Sequence, residues 1–184
     1  MKFTKKLLAA LMILAFAAVF AACADETAAI PELEPEAEYS DSPTFPFSFT
    51  VEDLHGNPVT GASLGDRDIF FIYYWTTWCP ACVNGMPGLA ELAEEFGDRV
   101  GFLSLLGDFD TARDTAIDIT EGANAPFITV DAQHPYFADL VQLMQIRFLP
   151  TSIIIDAEGN IIGEHIVGSS TDAFRTAIED ALNR

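Results

Sequence analysis

The sequence predicts an α/β domain with a mixed central sheet flanked by helices. Apolar runs of strand length alternate along the chain with amphipathic segments of helix length, a pattern typical of strands that pack against helices. The last two apolar runs, 152–155 and 161–167, are joined at 156–160 by an Asp-, Gly- and Asn-containing stretch typical of a hairpin turn. A terminal hairpin adds antiparallel strands, so the sheet is expected to be mixed.

The strands before that hairpin are predicted from composition. Apolar residues alternate with smaller or polar ones over 45–51, which indicates a half-buried strand that ends at the turn 55–58. The run 69–75 is uncharged, aromatic and β-branched, and it predicts a strand buried on both faces of a sheet. Further strands are predicted at 100–106 and 127–130.

The helices are predicted from apolar residues at helical spacing. The first covers 80–96, should kink at Pro87, and stops at Gly97. Further helices are predicted at 110–121, from Pro135 onwards, and at the C-terminus, where Thr171 is the expected N-cap.

Residues 1–22 are predicted to be a secretory signal peptide. Lys2, Lys5 and Lys6 precede an uncharged apolar stretch that ends in small residues and is too short for a comfortable membrane span. Phe20-Ala21-Ala22-Cys23 resembles a bacterial lipobox, which implies cleavage before Cys23 and a diacylglycerol group on its sulfur. An uncleaved anchor and a soluble secreted product are the alternatives.

Residues 23–42 are predicted to be an acidic, disordered tether, because proline repeats among glutamates and hydrophobicity is low. Residues 43–184 have the length of one domain. Lipid on Cys23 would hold that domain at the extracytoplasmic face of a bacterial cell membrane, where disulfides persist. It would also leave a single cysteine pair among the three cysteines.

The chain is strongly acidic, with a formal net charge of −19. All three lysines lie in the signal segment, so the domain contains arginines but no lysine. Such a surface repels nucleic acid and anionic lipid, so neither class of partner is expected.

The cysteine pair lies in Trp78-Cys79-Pro80-Ala81-Cys82, where the buried strand gives way to a helix. Unpaired N–H groups and the helix dipole at a helix N-terminus stabilise an anion, which favours the thiolate of Cys79. Cys82 follows three residues later on the same face, which brings the two sulfurs within bonding reach. Pro80 suits the first helical position because it has no N–H to satisfy.

A zinc site and a structural disulfide are the two alternative uses of this cysteine pair. A zinc site needs further ligands at close spacing, and the only histidines, His55, His134 and His165, are scattered singly, so no metal is expected. A structural disulfide closing so short a loop would restrict the unfolded chain little. Redox chemistry is therefore favoured.

The order of motifs resembles the thioredoxin fold. The dithiol follows an aromatic strand, Pro87 lies five residues beyond Cys82, and Leu149-Pro150-Thr151 leads into the apolar run 152–155. The lipobox, an N-terminal strand-turn extension and a central insert resemble the membrane-anchored thiol-disulfide oxidoreductases of the TlpA/ResA type. This likeness covers roughly residues 43–184.

The resemblance implies a substrate groove beside the dithiol. Pro150 would be cis, so that the backbone of Leu149 pairs with an extended substrate segment near Cys79, whereas an ordinary trans proline opening an edge strand is the alternative. Phe148 and Trp78 would wall a shallow apolar groove, although large aromatic residues more often belong to a core.

The implied reaction is thiol-disulfide exchange without a cofactor. Cys79 attacks a partner disulfide and Cys82 resolves the mixed disulfide, for which Cys82 must lose a proton while buried. Two departures from relatives matter. Tyr73 stands where thioredoxins have a buried Asp, and Gly85 stands where ResA-like proteins often carry Glu. Tyr73 is therefore a candidate proton relay, with a water or no group as the alternatives.

The expected partners are protein disulfides or dithiols outside the cytoplasm and a membrane electron donor or acceptor, with the chain itself a monomer. Reductase activity is expected, although Pro80 and Ala81 give only a weak indication of the reduction potential that decides the direction of electron flow. The alternatives are a soft-metal module that delivers Cu(I) from the same dithiol and a peroxidase-like redoxin.

Overall fold

The computed structural model describes residues 47–184. The predicted signal peptide, the lipidated Cys23, the tether and the first four residues of the predicted domain lie outside the described residues. Among the residues that are described, no helix is long and apolar enough to cross a membrane.

The described elements alternate between strands and helices. In chain order they are β1 (Thr50–Glu52), β2 (Pro58–Thr60), β3 (Ile69–Trp75), α1 (Pro80–Phe96), β4 (Val100–Leu106), α2 (Phe109–Gly122), β5 (Ile128–Asp131), α3 (Ala138–Leu143), β6 (Thr151–Asp156), β7 (Ile161–Val167) and α4 (Thr171–Leu182). Short 3₁₀ turns cover Gly61–Leu64 and Pro135–Phe137.

The central sheet is mixed, as predicted. Its strand order is β5-β4-β3-β6-β7, and β1 and β2 form a separate antiparallel pair. Strands β3, β4 and β5 run parallel, whereas β6 and β7 are antiparallel to their neighbours. The predicted hairpin joins β6 to β7, and the Asp156 carboxylate accepts bonds from the backbone N–H groups of Glu158 and Asn160. Gly159 supplies the positive φ, 86°, in this turn.

The sheet separates two apolar layers because successive side chains of a strand point to opposite faces. On β3, Phe71, Tyr73 and Trp75 pack toward α1, α2 and α4. Phe70 and Ile72 pack on the other face, against the β1–β2 pair and α3. Helix α1 therefore rests on the aromatic face of β3, and the dithiol at its start lies above that layer.

The structure differs from several local predictions and contains one unpredicted irregularity. The first strand is shorter than expected, because 47–49 lies outside any strand. The helix expected from Pro135 begins with a 3₁₀ turn before α3. Ser170, not Thr171, is the N-cap of α4, since its hydroxyl accepts the N–H of Ala173. Helix α2 deviates from helical geometry at Ala112, which no sequence pattern indicates.

Candidate active site

The dithiol lies at the junction of β3 and α1. Cys79 is the N-cap of α1 and Pro80 is its first helical residue, as predicted. The backbone N–H of Cys79 donates to the carbonyl of Thr76 at 3.3 Å, which closes a turn between strand and helix. Cys79 and Cys82 form a disulfide with their Cα atoms 5.3 Å apart. The N–H of Cys82 donates to Sγ of Cys79 at 3.2 Å, so a helix-terminal donor already faces the sulfur expected to carry charge.

The two cysteines differ in exposure. Cys79 retains 5 % of its surface and Cys82 retains none. Pro80 and Ala81 between them are exposed, so the short loop of the disulfide faces solvent while Cys82 points into the core. A partner disulfide therefore meets Cys79 first.

Tyr73 lies beneath the dithiol, with its hydroxyl bonded to the backbone of α1. Its buried hydroxyl donates to the backbone carbonyl of Cys82 at 3.0 Å, not to the sulfur. Burial raises the pKa of Tyr73 above its ordinary value, so the phenol stays protonated at neutral pH. The phenol that donates to this carbonyl holds the first turn of α1 in place, and a role for Tyr73 as proton relay stays a prediction.

The segment 148–150 leads into β6 at the end of the sheet from which the dithiol turn departs, because Thr151 pairs with Tyr74 near the end of β3. The Leu149–Pro150 peptide bond is cis. The Thr151 hydroxyl donates to the carbonyl of Phe148 at 2.8 Å, and the N–H of Gly168 donates to the carbonyl of Pro150 at 2.9 Å. Leu149 packs against the apolar cluster that contains both cysteines. The loop is thus fixed on both sides while the Leu149 backbone remains outside any strand.

The aromatic residues expected to wall a groove are exposed. Trp78 is 69 % exposed and Phe148 is 68 % exposed, which removes both from the core. Val167, 58 % exposed, pairs in register with Thr151 next to Pro150, and no motif in the sequence marks it as a site residue. These three are the large apolar side chains that the described residues leave exposed. Val167 ends the predicted last strand of the hairpin, and this position could have indicated it as a residue of the site.

Gly85 has a packing reason for lacking a side chain. A Cβ atom at this position would overlap the side chain of Ser169, which follows β7. The loop between β7 and α4 therefore occupies the space that a glutamate would need. The structure accordingly supplies no carboxylate at this position to receive the proton of Cys82.

Two polar contacts support the strand that leads to the dithiol. The indole N–H of Trp75 donates to the buried hydroxyl of Ser104 at 2.6 Å. Asp108, at the start of α2, accepts hydrogen bonds from Thr77 in the turn before Cys79. Neither contact has a sequence motif, because each joins residues from different elements.

The histidines weighed as metal ligands lie apart. His134 accepts the N–H of Tyr136 at the start of the 3₁₀ turn, and His55 and His165 are exposed in a turn and on β7. Within 47–184, no group of three or more histidine, cysteine or acidic side chains could hold a metal ion.

One family model and one relative with a known name match most of the chain. The model of the Redoxin family matches residues 40–182. The thiol-disulfide oxidoreductase ResA of Bacillus cereus (strain ZK / E33L) is 30% identical over 130 residues, which cover 67% of this chain and 68% of that protein.

Two solved structures share the thioredoxin-like arrangement. A putative thioredoxin from Neisseria meningitidis is 25% identical, with a TM-score of 0.61 over 78% of this chain and 93% of that one. A secreted disulfide oxidoreductase of Mycobacterium tuberculosis is 20% identical, with a TM-score of 0.58 over 73% of this chain and 96% of that one.

Proposed function

This chain belongs to the redoxin family, and from that premise we propose that it is a thiol-disulfide oxidoreductase which reduces protein disulfides outside the cytoplasm. The observation that carries the proposal is the Cys79–Cys82 disulfide at the N-terminus of α1. Its first cysteine keeps 5 % of its surface exposed and its second cysteine keeps none. This asymmetry suits a two-step exchange in which one sulfur attacks and the other resolves.

The reaction starts from the reduced dithiol. The thiolate of Cys79 attacks one sulfur of a partner disulfide, a mixed disulfide forms, and the other partner sulfur leaves as a thiolate. Cys82 then loses its proton and attacks Sγ of Cys79, which releases the second partner sulfur and forms the Cys79–Cys82 disulfide. Two electrons have passed to the partner, and a donor must return them before the next cycle.

The exposed apolar surface at this end of the sheet favours an extended protein segment as substrate. Trp78 and Phe148 offer exposed apolar surface, and the backbone at Leu149, which lies outside any strand, bonds to such a segment in this proposal. A membrane electron donor is the partner of the opposite half-reaction, and the chain acts as a monomer.

A redox titration tests the dithiol chemistry. The protein is equilibrated in buffers with stepped ratios of reduced to oxidised dithiothreitol or glutathione, and the Cys79–Cys82 state is read by thiol alkylation and mass spectrometry. We expect one reversible two-electron transition, together with reduction of insulin disulfides. The Cys79→Ser/Cys82→Ser double variant should lose both, and a double variant that still reduces insulin would refute the proposal.

The cellular location needs its own test. A lipid on Cys23 would hold the domain at the extracytoplasmic face of the cell membrane, in keeping with the lipobox-like sequence before it. The Cys23→Ser variant should move from the membrane fraction to the soluble extracytoplasmic fraction while its insulin-reducing activity persists. Unchanged membrane partitioning would refute lipid anchoring and leave the dithiol chemistry untouched.

A further inference from the structure

The turn that delivers Cys79 to the start of α1 is tied to a separate part of the chain. The carboxylate of Asp108 accepts the backbone N–H of Thr77, at 3.1 Å through one oxygen and 3.2 Å through the other. It also accepts the hydroxyl of Thr77 at 2.6 Å. Charge-assisted bonds of this kind are shorter and stronger than neutral ones, so Thr77 is firmly held.

Asp108 occupies a position from which its side chain would ordinarily cap the N-terminus of α2. It is the N-cap of α2, and aspartate at that position commonly accepts an N–H from the first turn of the helix. Here the side chain makes no capping bond, and the backbone carbonyl of Asp108 accepts the N–H groups of Thr111 and Ala112 instead. The carboxylate is directed to the turn before the dithiol.

Thr77 lies inside the turn that Thr76 and Cys79 close. Any movement of Thr77 would shift Cys79 relative to the N–H groups of α1, including the N–H of Cys82 that faces Sγ of Cys79. We propose that Asp108 is a positioning residue for thiol-disulfide exchange, which fixes the turn 76–79 and so keeps Sγ of Cys79 at the N-terminus of α1. The inference deepens the proposed function and rests on it.

The charge of Asp108 and its hydrogen bonds have opposite effects on the stability of the Cys79 thiolate. A nearby carboxylate disfavours a thiolate, whereas a fixed turn favours it by keeping the sulfur at the helix terminus. Tyr74 and Asp131 lie in the same electrostatic environment, because burial, then the carboxylates of Asp108 and Asp131, raise the pKa of Tyr74. Replacing Asp108 by Asn or by Ala removes the same charge, and only Asn can still bond to both groups of Thr77.

The test compares these charge-matched variants with a small chromogenic disulfide, bis(nitrobenzoate) disulfide, as probe. The thiolate of Cys79 attacks the probe, a mixed disulfide forms, and the released nitrothiobenzoate is followed by its absorbance. Mass spectrometry of the first product assigns the attack to Cys79 and excludes Cys23. Because the probe is not a protein, the rate can be measured even where reduction of protein disulfides fails.

We expect Asp108→Ala to react about tenfold more slowly than Asp108→Asn near neutral pH, because loss of the bonds to Thr77 raises the Cys79 thiol pKa. A pH series of rates should show the higher apparent pKa in the Ala variant. Thr77→Val, which keeps the N–H and loses the hydroxyl, should fall between wild type and Asp108→Ala.

Asp110→Ala is the matched control, since Asp110 is an exposed acid in the same first turn of α2. It should react at the wild-type rate. Equal rates and equal apparent pKa values for Asp108→Ala and Asp108→Asn would overturn the proposal, as would equal slowing by Asp110→Ala. If Asp108→Ala does not fold, Thr77→Val is compared with wild type. A slower reaction with a higher apparent pKa supports the proposal, and equal rates with equal apparent pKa values overturn it.

Discussion

The two cysteines lie one helical turn apart and differ in their access to solvent. Cys79 keeps a small exposed surface, between the exposed Trp78 and the exposed Pro80. Cys82 has no exposed surface and lies among packed side chains above Tyr73. The difference shows how one short motif obtains two chemical roles, because the helix terminus faces one sulfur and the core surrounds the other.

The largest expected effect comes from separating the two sulfurs. Cys79→Ser should abolish reaction with insulin, because the buried Cys82 cannot reach a partner disulfide. Cys82→Ser should attack within about threefold of the wild-type rate and then stop as a mixed disulfide, because the resolving sulfur is gone. Non-reducing electrophoresis and mass spectrometry measure both. A trapped mixed disulfide in Cys79→Ser instead would reverse the assignment of roles.

The next effect concerns the packing on the Cys82 side. A Cβ at Gly85 would overlap Ser169, so Gly85→Ala should lower the free energy of unfolding by roughly 1–3 kcal/mol. Denaturant titration measures it. Gly122→Ala is the matched control, because no heavy atom lies within 4 Å of a Cβ placed at that helical position. It should be neutral or stabilise by up to about 1 kcal/mol.

Restoring space should restore stability. The double variant Gly85→Ala/Ser169→Gly removes the overlapping side chain and should recover most of the loss. If Gly85→Ala is as stable as wild type, the loop between β7 and α4 does not constrain α1 as described.

The smallest expected effect is at Tyr73. Tyr73→Phe removes one hydrogen bond to the Cys82 carbonyl and should lower the free energy of unfolding by about 1 kcal/mol. The rate at which Cys82 resolves a mixed disulfide should stay unchanged, because the phenol donates to a carbonyl and takes no proton. Stopped-flow release of the second probe thiolate measures it, and a slowed release would restore Tyr73 as a relay.

The same variant has a pH signature. Burial raises the pKa of Tyr73 above its ordinary value of 10.0, so the folded state holds the phenol proton more tightly than the unfolded state. That stabilisation is complete below the ordinary pKa and is lost as pH rises toward the folded pKa. Wild type should therefore lose stability more steeply above pH about 10 than Tyr73→Phe does. Parallel curves would show that Tyr73 is not the buried phenol responsible.

The sequence predicted the elements better than their ends. Strand β3 was recognisable because an uncharged, β-branched and aromatic run indicates burial on both faces. The N-cap of α4 was misplaced by one residue, since Ser170 and Thr171 are both good caps and only the bond to Ala173 distinguishes them. The first strand was overextended, because alternation continues through Phe47 and Phe49 although the partner strand β2 is only three residues long.

By itself, the sequence determined the α/β order of elements, the terminal hairpin and a dithiol at a helix start. These depend on residues close together in the chain, whose spacing and conformational preferences are local properties. Only the tertiary structure decided that Asp108 holds Thr77 from 31 positions away, that Ser169 fills the space at Gly85, and that Tyr73 bonds a carbonyl. Those contacts arise where separate elements pack, and their geometry depends on the whole sheet and not on any single segment.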